Sequence, residues 1–284
     1  AKRLPFYFLS YFKGSSALIK FGQDFPESGF SKKIKSEAKA NKSDSAKNII
    51  SVEKIFKNSF AHIENNLKTE SYAKDVGSTA VVAYIETNKF GYRILTTAWL
   101  GDSRAVLVDK YNKVVWASKD HKPNDAQEKA RIEKNGGQVV FHGVPRIKLP
   151  EVNTMLAMSR SFGDTQFKQP NSAAGKLIDG GAVSGEPEIF NIKISRDIKF
   201  LILACDGVWD VISNEKAAQI VARELNKKDT AINILSDHDL MLEESEISGN
   251  SQNALNAAIE LRDAAYLKES TDNISVIVIN LESN

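Results

Sequence analysis

Hydrophobic positions along the chain fall into two rhythms. Val52, Ile55, Phe56, Phe60, Ile63 and Leu67 recur at helical spacing, which predicts an amphipathic helix over 50–69. Asp125 with Glu128 forms a capping-box-like start and Gly136-Gly137 a stop, which predicts a second helix over 125–135. Ser213 can cap a third, 214–226, and the alanine-rich stretch 251–268 reads as a fourth. The other rhythm is short apolar runs bounded by turn residues. Thr79–Ile85, Tyr92–Leu100, Arg104–Val108, Lys113–Ala117, Phe200–Cys205 and Ile274–Leu281 read as strands.

The first four strands follow one another with no helix between them. Such a meander predicts antiparallel sheets covered by helices, an α+β layered domain. Residues 31–48 carry six lysines and read as a solvated helix ending in a loop. Residues 236–251 are acidic and read as a loop insertion. No composition shift marks a linker and no 20–50-residue repeat is visible, so one domain over 1–284 is expected.

Composition narrows the class. The 284 residues are 42% hydrophobic and 26% charged, which excludes a wholly disordered or collagen-like chain. The net charge of +2 gives no global attraction to nucleic acid or membrane surfaces, and neither is expected as a partner. Lys32–Lys47 is basic without interleaved aromatics, the pattern of a solvated face. The lone cysteine, Cys205, excludes an intrachain disulfide and favours a reducing compartment, cytoplasmic or otherwise intracellular. No apolar run approaches the roughly 20 residues of a spanning helix. The stretch Phe6–Phe12 is shorter still and lacks a signal-peptide layout. A monomer is expected.

Three aspartates sit at strand ends. Asp102 follows Tyr92–Leu100, Asp206 follows Phe200–Cys205, and Asp272 precedes Ile274–Leu281. Apolar strands that deliver carboxylates to a rim build oxygen-ligand sites for hard cations such as Mg²⁺ or Mn²⁺. Each aspartate alone also suits an ordinary turn. The four histidines, His62, His121, His142 and His238, are scattered and offer no transition-metal cluster. There is no P-loop and no nucleophile elbow.

Taken together, several stretches resemble the metal-dependent protein phosphatases of the PPM type, also called type 2C. They are Asp75–Ala83, Ala98–Leu107, Asp120-His-Lys-Pro123 with Arg131-Ile132 and Gly136-Gly137, and Leu156–Asp164. Glu186-Pro-Glu188, Phe200–Val211 and Ser270–Val278 follow in the family's order. The resemblance implies a two-sheet antiparallel β-sandwich flanked by α-helices, in α-β-β-α layers. It implies hydrolysis of phosphoserine and phosphothreonine by a metal-activated water shared between two ions. Asp206 and Asp272 would be ligands of the first ion. Asp102, Asp206 and Asp210 would match a weaker third site. Thr165–Gly185 corresponds to a variable flap beside the cleft.

The resemblance fails at the family's first metal motif, Asp-Gly-His-Gly-Gly. Aligned on Gly14, its Asp, Gly and His become Tyr11, Phe12 and Lys13. The family's preceding strands, with a phosphate-binding Arg, would lie before Ala1. A phenol and a phenyl ring cannot replace a bridging carboxylate on a hard cation. Tyr11 and Phe12 also suit plain core packing. The expectation is a type 2C-like domain that holds at most one divalent ion weakly and has little or no activity. Such a pseudophosphatase would bind a phosphoprotein or a regulatory protein. The alternative is an active Mg²⁺- or Mn²⁺-dependent phosphatase.

Overall fold

The computed structural model describes residues 51–88, 90–168, 181–227 and 249–282. Helix α1 spans Val52–Leu67, with Ser51 accepting from the Lys54 backbone N–H as its cap. Strands β1 (Gly77–Ser78), β2 (Ala80–Thr87), β3 (Arg93–Leu100), β4 (Arg104–Asp109) and β5 (Val114–Ala117) follow. Next come helix α2 (Ala126–Lys134) and strands β6 (Gln138–His142), β7 (Val144–Lys148), β8 (Met155–Leu156) and β9 (Phe162–Gly163). The chain continues through β10 (Glu188–Lys193), β11 (Ile198–Ala204), α3 (Asp206–Trp209), α4 (Asn214–Leu225), α5 (Gly249–Leu267) and β12 (Val276–Asn280).

Two antiparallel sheets carry the fold, ordered β10-β3-β2 and β12-β11-β4-β5. Strand periodicity sorts their side chains into layers. On β4 and β11, Ala105, Leu107, Leu201 and Leu203 point between the sheets, where they meet Leu95 of β3 and Val81 and Ile85 of β2. The alternate residues Val106, Val108, Phe200 and Ile202 pack under α4 and α5, against Ala217, Val221 and Leu261. On the outer face of the three-stranded sheet, Ala98 and Leu100 receive Phe56 and Phe60 of α1. The layers therefore run helix, sheet, sheet, helix, as the resemblance implies. Every residue of β11 is buried, Lys199 included, and from Phe200 to Ala204 the run is continuously apolar rather than alternating.

The expected meander is corrected in one respect. It is two hairpins, β2-β3 in one sheet and β4-β5 in the other. The corner 101–103 carries the chain across. Gly101 sits there at φ +91°, and a Cβ would stand 2.3 Å from Thr79 Cγ2. Only glycine suits both constraints. The strands β6, β7 and β10 had no strong apolar signal. They are short, and much of their surface is exposed.

Three boundaries differ from expectation. Residues 249–251 open α5 rather than closing an acidic loop. The flap-like stretch is anchored at both ends: Thr165–Lys168 is a 3₁₀ turn with buried Phe167, and Ala182 and Val183 are buried. At α2, Asp125 caps by accepting from the backbone N–H groups of Gln127 and Glu128. The Glu128 side chain does not complete a capping box, because two arginines claim it. The basic stretch 31–48, Tyr11, Phe12 and Lys13 lie outside the described residues. No helix among the described residues is long and apolar enough to cross a membrane.

Candidate metal centre

Register fixes where the aspartates stand. Ala204 at the end of β11 pairs with Arg104 at the start of β4 and with Val276 at the start of β12. The chain therefore enters or leaves three neighbouring strands at one rim. Asp102 lies just before β4, Asp206 just after β11, and Asp272 just before β12. Asp206 begins the single turn α3, and Asp210 follows its end, donating its backbone N–H to the Asp206 carbonyl at 2.9 Å.

Short contacts tie the Asp206 turn to the Asp272 loop. Ser270 Oγ donates to the Gly207 carbonyl at 2.6 Å. Cys205 Sγ donates to the Asn273 carbonyl and accepts from the Ser275 N–H, each at 3.1 Å. Gly207 permits this approach, since a Cβ would stand 2.3 Å from the Asn273 carbonyl oxygen. Asp272 itself is exposed and accepts from the Asn273 N–H at 2.6 Å.

Asp102 is buried, with 3% of its surface exposed. Its Oδ2 accepts from Lys122 Nζ at 2.6 Å, while its Oδ1 is buried with no partner. Beside it, the Asp206 carboxyl is pushed up to about 6. Burial is the main cause, followed by the charges of Asp102, Asp272 and Asp210, with Lys122 opposing them. The four aspartates expected at one end of the sandwich thus feel one another there.

The corner that carries Asp102 is braced from behind. His121 is buried, stacked on Trp99, and accepts from the Gly101 N–H through Nδ1 at 3.0 Å. That leaves its Nε2 facing Glu188 Oε1 at 3.4 Å. The His121 backbone N–H donates to the Gly101 carbonyl at 2.9 Å. Thr79 and Ser103 share a hydroxyl hydrogen bond of 2.7 Å. Arg104 grips Asp120 with two bonds of 2.8 Å and donates to Asn214 at 2.7 Å.

His121 and Lys122 escaped the reading of sequence chemistry. His121 counted as one of four scattered histidines. Its stretch, Asp120-His-Lys-Pro123, was legible as a matching segment, but nothing local says that it packs behind Gly101.

The donor chemistry fits a hard divalent cation. Four carboxylates face one lysine, and one buried carboxylate oxygen is orphaned. The set is unfinished, however. Among the described residues no three His, Cys, Asp or Glu side chains gather closely enough to hold one ion.

The protein phosphatase 2C family profile matches residues 22–274. The chain is 37% identical over 214 residues to protein phosphatase 2C 50 of Oryza sativa subsp. japonica, covering 74% of this chain and 47% of that protein. It is 35% identical over 229 residues to protein phosphatase 2C 77 of Arabidopsis thaliana, covering 79% and 48%. Among solved structures, a C. elegans sex determining protein aligns with TM-score 0.61 at 23% identity, over 87% of this chain and 50% of that one. A serine-threonine phosphatase 2C from Toxoplasma gondii aligns with TM-score 0.57 at 21% identity, over 89% and 75%. These structures share the fold. The sequence match places the chain by family: it belongs to the protein phosphatase 2C family, which is generally Mg²⁺- or Mn²⁺-dependent. It spans about half the length of the curated relatives it matches.

Proposed function

We propose that this chain is a type 2C phosphatase domain with half of a two-ion site, weakly active or inactive toward phosphoserine and phosphothreonine, and that it serves in binding or regulation. Asp206 and Asp272 would hold a single Mg²⁺ or Mn²⁺, with Asp102 and Asp210 adding negative charge beside it. When bound, such an ion neutralises phosphoryl charge and acidifies a coordinated water. The chain's own residues hold the ligands. Cys205, Ser270 and Gly207 fix the spacing of the Asp206 and Asp272 loops, and His121 fixes the Asp102 corner. The natural partner is a phosphoprotein or a regulatory protein inside the cell.

One observation carries this reading: the shortfall of donors. Two-ion hydrolysis needs ligands on both ions, and the sequence shows no carboxylate at the place aligned with the family's bridging Asp. The alignment on Gly14 would put Tyr11, Phe12 and Lys13 in place of the family's Asp, Gly and His; the family match spans residues 22–274 and does not reach them. The second reading, an active phosphatase, is favoured by retention of all four rim aspartates and by the names of the relatives.

Hydrolysis of a phosphoserine peptide with Mn²⁺ tests the choice. Turnover near background is expected. Robust turnover abolished by Asp272→Asn would establish the second reading. Tyr11→Asp with Phe12→Gly should raise Mn²⁺ affinity without restoring full turnover, because Lys13 still stands in place of the family's His.

A further inference from the structure

Lys122 occupies an unusual position on the rim. Its Nζ lies 2.6 Å from Asp102 Oδ2, yet 36% of its side chain is exposed while that of Asp102 is 5% exposed. It borders an open cavity of about 540 Å³, also lined by Arg104, Asp120, Asp125 and Asn214. Arg104, the neighbouring cation, is committed to Asp120 and Asn214 and lies over the Trp209 ring. The positive charge facing Asp102 therefore comes from Lys122. One Asp102 oxygen is taken by the ammonium and the other is buried without a partner.

A lysine ammonium is a compact point charge on a flexible stem. It satisfies one carboxylate oxygen and can leave for water or for Asp120 at the cavity wall. A buried carboxylate with one oxygen spare binds a small divalent ion better than it binds an ammonium, because the ion can be reached by further oxygens.

We propose that Lys122 is the resident cation of the Asp102 subsite, and that a divalent ion binds beside Asp102 only by displacing the Lys122 side chain toward the neighbouring cavity. The inference rests on the reading of the rim as a metal site and adds an internal competitor to it. Lys122 keeps the apo rim tolerable and sets a threshold concentration for cations. A plain structural salt bridge would act in the opposite sense, because losing it would loosen Asp102 and weaken cation binding.

Calorimetric titration with Mn²⁺ separates the two. Lys122→Met should bind Mn²⁺ about tenfold more tightly than the wild type, or take up an additional ion. Lys122→Arg, which keeps the charge, should stay within about twofold of the wild type. Asp102→Asn added to Lys122→Met should remove the gain. Unchanged or weaker binding by Lys122→Met overturns the proposal. If that variant fails to fold, amine acetylation of the wild type read by mass spectrometry decides. Saturating Mn²⁺ should speed labelling of Lys122, and an unchanged or slower rate overturns the proposal. If the wild type binds Mn²⁺ through Asp206, as Asp206→Asn would reveal, and Lys122→Met behaves identically, only this inference fails. If neither form binds Mn²⁺, the metal reading fails with it.

Discussion

Two groups of charges in this domain hold carboxylates in opposite states. Glu128 on α2 is buried between Arg131 and Arg160. Its Oε2 accepts from Arg131 at 2.5 Å and from Ser159 Oγ at 2.6 Å, and its Oε1 accepts from Arg160 at 2.6 Å. Those bonds and charges outweigh burial and hold its carboxyl at about 2. Asp206 on the rim is half-buried among three other aspartates and one lysine, and its carboxyl is pushed up to about 6. Burial raises both groups, so what differs is the ratio of partners. In the first cluster two arginines bond Glu128 directly, with Glu188 also on Arg160 at 3.3 Å, and the group works as a clamp between α2, the 159–160 turn and the 181–182 backbone. The second has one lysine for four carboxylates, an excess of negative charge.

The largest break should come from the clamp. Glu128→Gln leaves buried Arg131 and half-buried Arg160 without their shared anion, and should lower unfolding free energy by about 3–5 kcal/mol in urea denaturation. The depressed carboxyl also has a pH signature. Its contribution is present above pH 4.5, the unfolded value, and is lost as pH falls toward about 2. The wild type should therefore lose stability across that window, and Glu128→Gln should lose much less. Equal acid slopes would show that the clamp does not hold Glu128 ionised.

Asp206→Asn should act with the opposite sign. A raised carboxyl favours folding when protonated, so its contribution is present below pH 3.8 and is lost as pH rises through about 6. With chelator present at pH 8, removing the charge should stabilise the domain by about 1–2 kcal/mol, a figure reduced for partial exposure. At pH 4 the difference should vanish. Mn²⁺ should reverse the ranking, since at about 100 times its Kd it adds about 2.7 kcal/mol to the form that binds it. Melting curves at the two pH values, with and without Mn²⁺, read all of this. A variant less stable than the wild type at pH 8 without metal would contradict the excess of negative charge.

The difference between the clusters was only partly legible in the sequence. The layered fold was, because four apolar runs from Thr79 to Ala117 follow one another without a helix while helical patterns such as Val52–Leu67 flank them. The rim was too, since Asp102, Asp206 and Asp272 each abut an apolar run. The clamp was not. Glu128 read as half of a capping box, because its spacing from Asp125 is local, whereas its true partner Arg160 lies 32 positions away. Lys122 and His121 were hidden for the same reason: their contacts cross 20 positions to a corner between two sheets. Local pattern reports which residues share a strand or a helix turn. It does not report which distant charge will neutralise which.

The smallest effect serves as a gauge for both clusters. On α1, Lys57 and Glu53 form an i,i+4 pair at 3.2 Å with side chains 57% and 47% exposed. The pair has one cation to one anion, but unlike the clamp it is not buried. Water and ions should therefore decide its worth. Lys57→Gln should change stability by only about 0.3–0.5 kcal/mol at low salt. At 1 M NaCl the screening length falls to about 3 Å, and the effect should disappear. The deficit of Glu128→Gln should persist at 1 M NaCl, because ions do not reach a carboxylate that is 5% exposed. Denaturation of the two variants in parallel at both salt concentrations checks this. If salt erased the Glu128 deficit as well, the clamp would be a surface electrostatic effect, and pairing alone, not burial with pairing, would separate the two regions.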